Sequence, residues 1–408
     1  MYRLFVVLLI LLSFQTLNAA ESMADWISNN VSQNPLVRAS LLQIEEIEAK
    51  SQISKTWASP FVDISLGNKE QSSINGGLYG LSISQSLPLL GKQRLLSNVF
   101  EEELEIAKLE HQFLKRQLME QLVLLVFEKK IISQKQSLAV QRQKKLKLVD
   151  AYLKSRPLAS PQINAQTQIV KQQLKKIESE LLKLQGEEEK INQKMAFYQV
   201  NNPIPEISWL RGENDLFVDK KLNENLGNNF ELLILEKKLA KLVDEKSLIS
   251  LESWSDPVLS GSFDQTVAPI NERTYFLGLG IGIPVWGGNQ ALVNSLDKKI
   301  LKEQTELNYQ RKFTELALNQ AFVDYQSARK QIKLYQPTEI TELEEKFKNL
   351  ELDFKKELID LLTFIELDKQ IAETADLTFQ AQTELITSIS KITLLTGRED
   401  LPELLLKQ

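Results

Sequence analysis

Residues 281–290 read IGIPVWGGNQ, a run of branched, small and aromatic residues in a chain that otherwise reads as long polar helix. A matching run, ISQSLPLLGKQ, ends at Gln93, and a long helical pattern follows each run directly. The apolar positions leading into the second run are Tyr275, Leu277, Leu279, Ile281 and Ile283, with Gly278, Gly280 and Gly282 between them. Because apolar residues at every second position predict a strand with two different faces, the sequence places short strands between long helices.

Four segments show this alternation, two in each half of the chain. The apolar positions of the second segment are Tyr79, Leu81, Ile83 and Leu87. Each segment is about ten residues long, which is the length that a tilted strand needs to cross a bilayer. Trp57, Trp254 and Trp286 lie at the helix-proximal ends, where interfacial aromatic residues gather in membrane proteins. The alternative is a pair of soluble hairpins that pack one face on a core.

The order of the predicted elements occurs twice along the chain. Helices are predicted at residues 35–56, 91–154, 162–199, 224–253, 290–355 and 361–396, and polar breaks at 69–77 and 268–273 separate the paired strands. Trp57 and Pro60 match Trp254 and Pro257. This recurrence predicts an internal duplication. Its segments are a first repeat at 21–199, a linker at 200–223, a second repeat at 224–396 and a tail at 397–408.

Composition narrows the possible functions. The chain has 408 residues, 43% hydrophobic and 25% charged, as in a folded protein. A net charge of -5 gives no basic field for nucleic acid, which we exclude as a partner. Cysteine is absent and the one histidine, His111, is expected at the surface. With no Gly-rich phosphate loop and no H-E-x-x-H motif, we predict no catalytic residue, metal site or cofactor, and therefore no enzyme.

The N-terminus predicts export. Residues 1–20 combine Arg3, an apolar stretch and a pair of alanines, which is the pattern of a secretory signal peptide. No later run of eighteen apolar residues follows, so any membrane crossing by this chain must use strands. A sheet with open edges is not stable in lipid, because its unpaired backbone groups have no hydrogen-bond partners there. Single-chain barrels begin at about eight strands, so the four strands of this chain must form a closed barrel together with strands of other copies.

Helix length adds a second constraint. The predicted helices at 91–154 and 290–355 would each be about 100 Å long at 1.5 Å per residue. Apolar residues recur at heptad-like spacing at Leu174, Ile177, Leu181, Leu184, Ile191, Met195 and Tyr198, and at Ile340, Leu343, Phe347, Leu350 and Phe354. Such stripes favour lateral packing of helices. A plain coiled-coil stalk is the alternative that these stripes alone leave open.

Four stretches together resemble TolC-type outer-membrane efflux proteins. They are NPLVRASLLQIEEIEAKSQISKTWASPFVDISLG, YGLSISQSLPLLGKQRL, YFLGLGIGIPVWGGNQALV and FKKELIDLLTFIELDKQ. The N-P-x-x-x-A opening is most similar to the branch that serves heavy-metal and related resistance-nodulation-division (RND) pumps. The resemblance covers nearly all of the chain after the signal peptide, in order and in both halves.

The resemblance implies an α+β membrane protein in the outer membrane of a Gram-negative bacterium. Three chains would contribute four strands each to one twelve-stranded β-barrel in lipid, continued by a long α-helical barrel in the periplasm. The expected function is a passive exit duct. It would receive small molecules or metal ions from an inner-membrane pump of the RND type through a periplasmic adaptor. The barrel-to-helix joints would be Pro88, Gly91, Pro284, Gly287 and Gly288.

The resemblance also implies a gate at the periplasmic tip. Family members carry a G-x-x-x-hydrophobic-pair-D-x-x-D pattern there, and ELIDLLTFIELDK places Thr363 and Glu366 at the acidic positions. Glu357 stands at the glycine, and Asp360 is a second acidic candidate. In the first half, Pro161 stands at the acidic position.

Two other functions remain open from the sequence. The same family includes the exit ducts of type I protein-secretion systems, and the neighbouring genes would discriminate that role from efflux. A secreted helical scaffold or adhesion stalk is the third possibility, which extraction from outer membranes only with detergent would exclude.

Overall fold

The computed structural model describes residues 23–71, 74–155, 160–198, 200, 203–204, 216–217, 226–267, 271–284, 289–335 and 352–398. The helices are α1 Met23–Ser32, α2 Pro35–Ser51, α3 Lys92–Lys154, α4 Pro161–Phe197, α5 Phe230–Leu251, α6 Gln290–Leu334 and α7 Leu361–Thr396. The strands are β1 Phe61–Gln71, β2 Ile74–Ser86, β3 Val258–Val267 and β4 Glu272–Gly280. The predicted signal peptide and most of the predicted linker and tail lie outside the described residues.

Local capping signals fix where several helices begin and end. The Ser160 hydroxyl accepts the Ile163 N–H at 3.2 Å at the start of α4, and the Asp360 carboxylate accepts the Thr363 N–H at 2.8 Å at the start of α7. Such side chains satisfy backbone donors that the first helical turn leaves open. α7 stops at Gly397, whose φ of 65° is the left-handed conformation that terminates many helices.

Two helix predictions need correction. α6 ends at Leu334 rather than near Lys355, because Pro337 follows closely and proline disfavours helix in the residues before it. α1 was not predicted, although its Trp26 and Ile27 are fully buried. Its ten residues are too few to show a clear helical period in sequence. In the described part of the chain, no helix combines the length and apolar character needed to cross a membrane.

The chain divides into two compact units. The helical unit comprises Met1–Arg38, Leu114–Asn229 and Thr314–Gln408, and the sheet unit comprises Ala39–Phe113 and Phe230–Phe313. Each unit gathers segments that are far apart in sequence. His111, which was expected at the surface, belongs to the sheet unit and is half-buried, and its Nδ1 lies 2.7 Å from the Ser40 hydroxyl.

The helical unit is held by apolar stripes on its long helices. In α4, the predicted stripe residues Ile177, Leu184, Ile191 and Met195 are buried, and so is Val170, which the prediction did not include. α7 also has a long buried face, which includes the small residues Ala375, Ala381 and Ser388. Small side chains let neighbouring helices approach closely, so this face packs at high density. The second predicted stripe lies outside the described residues except for Phe354, which is buried.

The sheet unit contains one antiparallel sheet in the order β1-β2-β3-β4. The pairing of β1 with β2 continues from Phe61↔Ser84 to Gln71↔Ile74. The polar break predicted at 69–77 is therefore wrong for most of its length, because a hairpin ladder rests on backbone hydrogen bonds that polar side chains do not interrupt. Likewise Glu272 and Arg273 belong to β4 and pair with β3, although they were predicted as part of the second break.

β4 ends earlier than its alternation predicted. Its last pair is Val258↔Gly280, so Ile281 and Ile283 lie beyond the ladder although both remain exposed. Beyond this pair, the Gly282 N–H donates to the Ser255 hydroxyl instead of to a backbone carbonyl of the partner strand.

Candidate channel-forming surfaces

One face of the sheet is apolar and open to its surroundings. The register aligns Val62 with Ile83, Gly261 and Leu277 in one row, and Ile64 with Leu81, Phe263 and Tyr275 in the next. Leu277 is 91% exposed and Leu66 is 75% exposed. An apolar surface of this extent on a protein indicates contact with a membrane or with another protein.

The opposite face carries small and polar side chains. Its rows align Asp63 with Ser82 and Ser262, and Ser65 with Gly80 and Asp264. A Cβ atom at Gly80 would collide with the Ser65 hydroxyl and the Asp264 carboxylate. Glycine at this position therefore leaves room for both polar groups above the strand. This face also carries some large apolar side chains, at Phe61, Leu78, Val258 and Phe276.

The two outer strands leave the sheet open on both sides. β1 and β4 stand at the ends of the strand order, and each pairs with one neighbour among the described residues. Their free edges therefore present backbone N–H and C=O groups that a further strand can bind. β1 also exposes Val62 and Ile64, and β4 exposes Leu277 and Leu279.

The joint between β2 and α3 contains both residues predicted for it. The Leu87 N–H donates to the Pro257 carbonyl oxygen at 2.7 Å, which extends the ladder by one bond. Pro88 follows and has no N–H to donate to a neighbouring strand. Gly91 has a φ of 89°, a conformation that side chains disfavour. The chain turns at this glycine, and α3 begins at the next residue.

Asp256 stabilises the same joint between β2 and α3 through two hydrogen bonds, and this role was not predicted from the sequence. One carboxylate oxygen accepts the Leu89 N–H at 3.2 Å, and the other accepts the Lys92 ammonium at 3.0 Å. These residues are 164 or more positions apart in sequence. Because the contact depends on the pairing of β2 with β3, no local pattern could have indicated it.

The second joint is described in part. The Gly282 N–H donates to the Ser255 hydroxyl at 2.6 Å, so a side chain takes over where the β3–β4 ladder ends. Pro284 is half-buried, while Gly287 and Gly288 lie outside the described residues. Ser255 and Asp256 are adjacent, so one short segment before β3 supports the exits of both β2 and β4.

The predicted interfacial tryptophans occupy equivalent places before two strands. Trp57 lies four residues before β1 and Trp254 four residues before β3. They are 60% and 45% exposed respectively. Trp286 lies outside the described residues.

The predicted tip residues lie around the start of α7 in the helical unit. Glu366 and Thr363 are exposed one turn apart on α7. Asp360 caps the helix, and its hydrogen bonds from the Thr363 backbone and side chain lower the pKa of the carboxyl below its ordinary value. The Asp360 carboxylate therefore serves as the N-cap of α7. Pro161, predicted at the acidic position of the first half, is the first residue of α4 and follows the capping Ser160.

Glu357 adopts an unusual backbone conformation before α7. Its φ is 60°, in the left-handed region. The Leu358 N–H donates to the Asp353 carbonyl oxygen at 2.9 Å, and the Glu357 N–H donates to the Phe354 oxygen at 3.0 Å. This pattern ends a helical turn in a way that usually requires glycine, and glycine is the residue that the family pattern has here.

Comparison with known proteins gives matches by structure. No protein-family model matches the chain, and no curated protein matches its sequence. The channel CusC superposes with a TM-score of 0.72 at 13% identity, over 93% of this chain and 94% of that one. The open-state MtrE outer-membrane channel of Neisseria gonorrhoeae gives 0.73 at 13% identity, over 92% and 89%. VceC, an outer-membrane protein of Vibrio cholerae, gives 0.72 at 12% identity, over 92% and 96%.

These superpositions extend over nearly the full length of this chain and of each relative. At such low identity they establish the architecture and leave the activity to be argued from this chain's own residues. The chain has the fold of the TolC-family outer-membrane channels.

Proposed function

We propose that this protein is the outer-membrane exit duct of a tripartite efflux system. The observation that carries the proposal is the four-stranded sheet, which has an exposed apolar face, a small polar face and two open edges. Lipid would cover the apolar face, and water would fill the space behind the polar face. A soluble hairpin pair would instead bury its apolar face, and Leu277 at 91% exposure is not buried within this chain.

Closure of the barrel requires other copies. In lipid, each unpaired backbone group costs several kcal/mol, so the edges of β1 and β4 must pair. Three copies would supply twelve strands, in which β4 of each copy pairs with β1 of the next. A homotrimer of this kind removes every edge and matches the even strand number of bacterial barrels.

The helices supply the periplasmic part of the proposed duct. α3 has 63 residues and is therefore about 95 Å long. Such a helix in each of three copies would form the wall of a conduit that meets a periplasmic adaptor and an inner-membrane pump. The duct would do no chemistry, and the pump would supply the energy. An RND pump gene beside this gene supports efflux, whereas the gene of a secretion ATPase indicates protein export.

We also infer that the two halves of the chain arose by internal duplication, with repeats at 21–199 and 224–396. Support comes from matched details of local structure. Trp57 and Trp254 precede their strands by equal distances, and Ser160 and Asp360 cap helices that begin 200 positions apart.

Glu366 is the residue that we assign to the gate of the proposed duct. Its exposed position on α7 would let three carboxylates approach one axis in a trimer, where a single-sign ring favours cations. The left-handed Glu357 supports the alignment that places Glu366 at an acidic position. Thr363 would lie in the same ring without charge, and Asp360 would act as a helix cap.

Conductance in planar lipid bilayers tests the duct. The purified protein should form ion-conducting pores that favour cations, and Glu366→Gln should lower both the cation preference and the block by divalent or trivalent cations. Asp360→Asn is the matched control, because asparagine also caps helices well. A protein that inserts without conducting would refute the duct, and equal selectivity in both variants would remove Glu366 from the gate.

A further inference from the structure

The apolar face of the sheet has a depression at Gly261. In the register, Gly261 lies between Ile83 and Leu277, so this row lacks one side chain. The resulting depression has a volume of about 500 Å³ and is lined mainly by apolar groups. At one side, the rings of Phe263 and Tyr275 lie 5.2 Å apart and form a wall. The depression can hold a flexible hydrocarbon chain.

A positive charge lies close to this depression. Arg273 precedes Tyr275 by two positions in β4, so it shares the same face about 7 Å away along the strand. Its row contains Tyr79 and Gln265, and its side chain is exposed. Among the residues of this face whose side chains the structure describes, Arg273 is the one with a charge.

The position of Arg273 indicates where the hydrocarbon layer ends. A guanidinium facing the middle of a bilayer is strongly destabilising in a barrel, whereas near the interface the penalty almost vanishes. Tyr79 in the same row suits that interface, because its ring is apolar and its hydroxyl is polar. The guanidinium therefore faces the headgroup layer, where phosphate oxygens match its planar set of donors.

We propose that this surface is a binding site for one anionic membrane lipid. Its phosphate binds Arg273 beside Tyr79 and Gln265, and an acyl chain lies in the depression at Gly261. The site rests on the proposed function, because it requires the apolar face to meet lipid. The charge selects an anionic lipid over a zwitterionic one, and the depression selects a lipid over free phosphate.

Native mass spectrometry of the detergent-purified protein tests the site. Phosphatidylglycerol and phosphatidylcholine are added in separate titrations, and inorganic phosphate serves as a third probe. Arg273→Gln removes the charge and Arg273→Lys keeps it. Gly261→Val fills the depression, where an added Cβ meets Leu277 and Ile83 at ordinary distances of 3.8 and 3.9 Å. Gly67→Val is the matched control on the opposite face, where an added Cβ meets Leu78 at 3.9 Å.

The wild-type protein should retain phosphatidylglycerol in preference to phosphatidylcholine. Arg273→Gln should lower this preference about fivefold, while Arg273→Lys should keep most of it. Gly261→Val should weaken retention of both lipids, and Gly67→Val should behave as wild type. Inorganic phosphate alone should not be retained.

Several results would overturn the site. Unchanged lipid preference in Arg273→Gln would do so, and so would equal retention by Gly261→Val and Gly67→Val. Loss of oligomer in Arg273→Gln at unchanged lipid preference would show that Arg273 contacts a neighbouring copy instead. Conductance of the same preparations is recorded in parallel. Failure of the wild type to conduct refutes the duct, whereas normal conductance without lipid preference refutes the lipid site alone.

Discussion

Arg142 on α3 donates to both carboxylate oxygens of Asp368 on α7, through Nε at 3.1 Å and Nη2 at 2.9 Å. The two side chains are only 12% and 7% exposed, and Glu180 on α4 lies 3.5 Å from the same guanidinium. Burial opposes the charge, but Asp368 and Glu180 outweigh it, so the pKa of Arg142 is raised above its ordinary value. One guanidinium therefore joins three helices.

Asp368→Asn should destabilise the helical unit, because it leaves the buried Arg142 without its main carboxylate. Losing one partner of a buried pair costs about 3 kcal/mol. Asp376→Asn is the control, since Asp376 is 63% exposed in its pair with Lys135 and a surface pair contributes about 0–1 kcal/mol. Thermal unfolding followed by circular dichroism compares the two variants. Equal losses of Tm would contradict a special role for the Arg142 pair.

Glu357→Gly should raise stability. A left-handed conformation costs a residue with a side chain about 1–2 kcal/mol, which glycine avoids, although glycine also adds freedom to the unfolded chain. The expected gain is up to about 1 kcal/mol in denaturant unfolding. Glu357→Ala keeps the strain and should bring no such gain. A loss of stability in the glycine variant would show that the Glu357 side chain contributes more than the strain costs.

Glu120 should make the helical unit less stable at alkaline pH. Burial raises the pKa of its carboxyl to about 8, against the opposing effects of Arg116, Ser390 and Thr393. Since the folded protein binds this proton more tightly than the unfolded chain, the contribution is full below about pH 4.5 and is lost as pH rises to about 8.

Glu120→Gln, which imitates the protonated acid, should remove this dependence of stability on pH. Unfolding midpoints at pH 4 and pH 9 provide the measurement. The variant should match wild type at pH 4 and exceed it at pH 9 by on the order of 3 kcal/mol. A constant difference between the two proteins at both pH values would contradict the buried neutral carboxyl.

Leu279→Arg should impair assembly into the outer membrane. Leu279 is 73% exposed on the apolar face, and arginine facing the bilayer centre costs about 2–4 kcal/mol in a barrel. Gly280→Ser lies on the other face with no atom within 4 Å of its added Cβ, so it should assemble normally. The amount of each protein in outer-membrane fractions is the measurement. Normal assembly of Leu279→Arg would place this face away from lipid.

Some of this structure could be predicted because its signals are local. α7 has the predicted bounds, since Asp360 and Gly397 mark its ends within one turn. The strand faces also follow from the sequence, because alternation alone assigns Leu279 and Gly280 to opposite sides. The resemblance to the TolC family agrees with the structural matches.

Contacts between distant segments could not be predicted in the same way. Asp368 reads as one more charge on a polar helix, and its partner Arg142 is 226 positions away. Asp256 is an ordinary loop residue until the β2–β3 pairing brings it to the Leu89 N–H. The end of β4 was misplaced because the alternation continues to Ile283, whereas pairing with β3 stops at Gly280. Contacts of this kind depend on how distant segments pair, and local sequence patterns do not specify that pairing.

The mass of the purified protein in detergent, measured with bound detergent subtracted, tests the central claim most directly. The open edges of β1 and β4 predict three chains in each particle, since three four-stranded sheets close one barrel of twelve strands. The expected mass is three times that of the single chain. A stable monomer under conditions that preserve the sheet would contradict the shared barrel and the duct built on it.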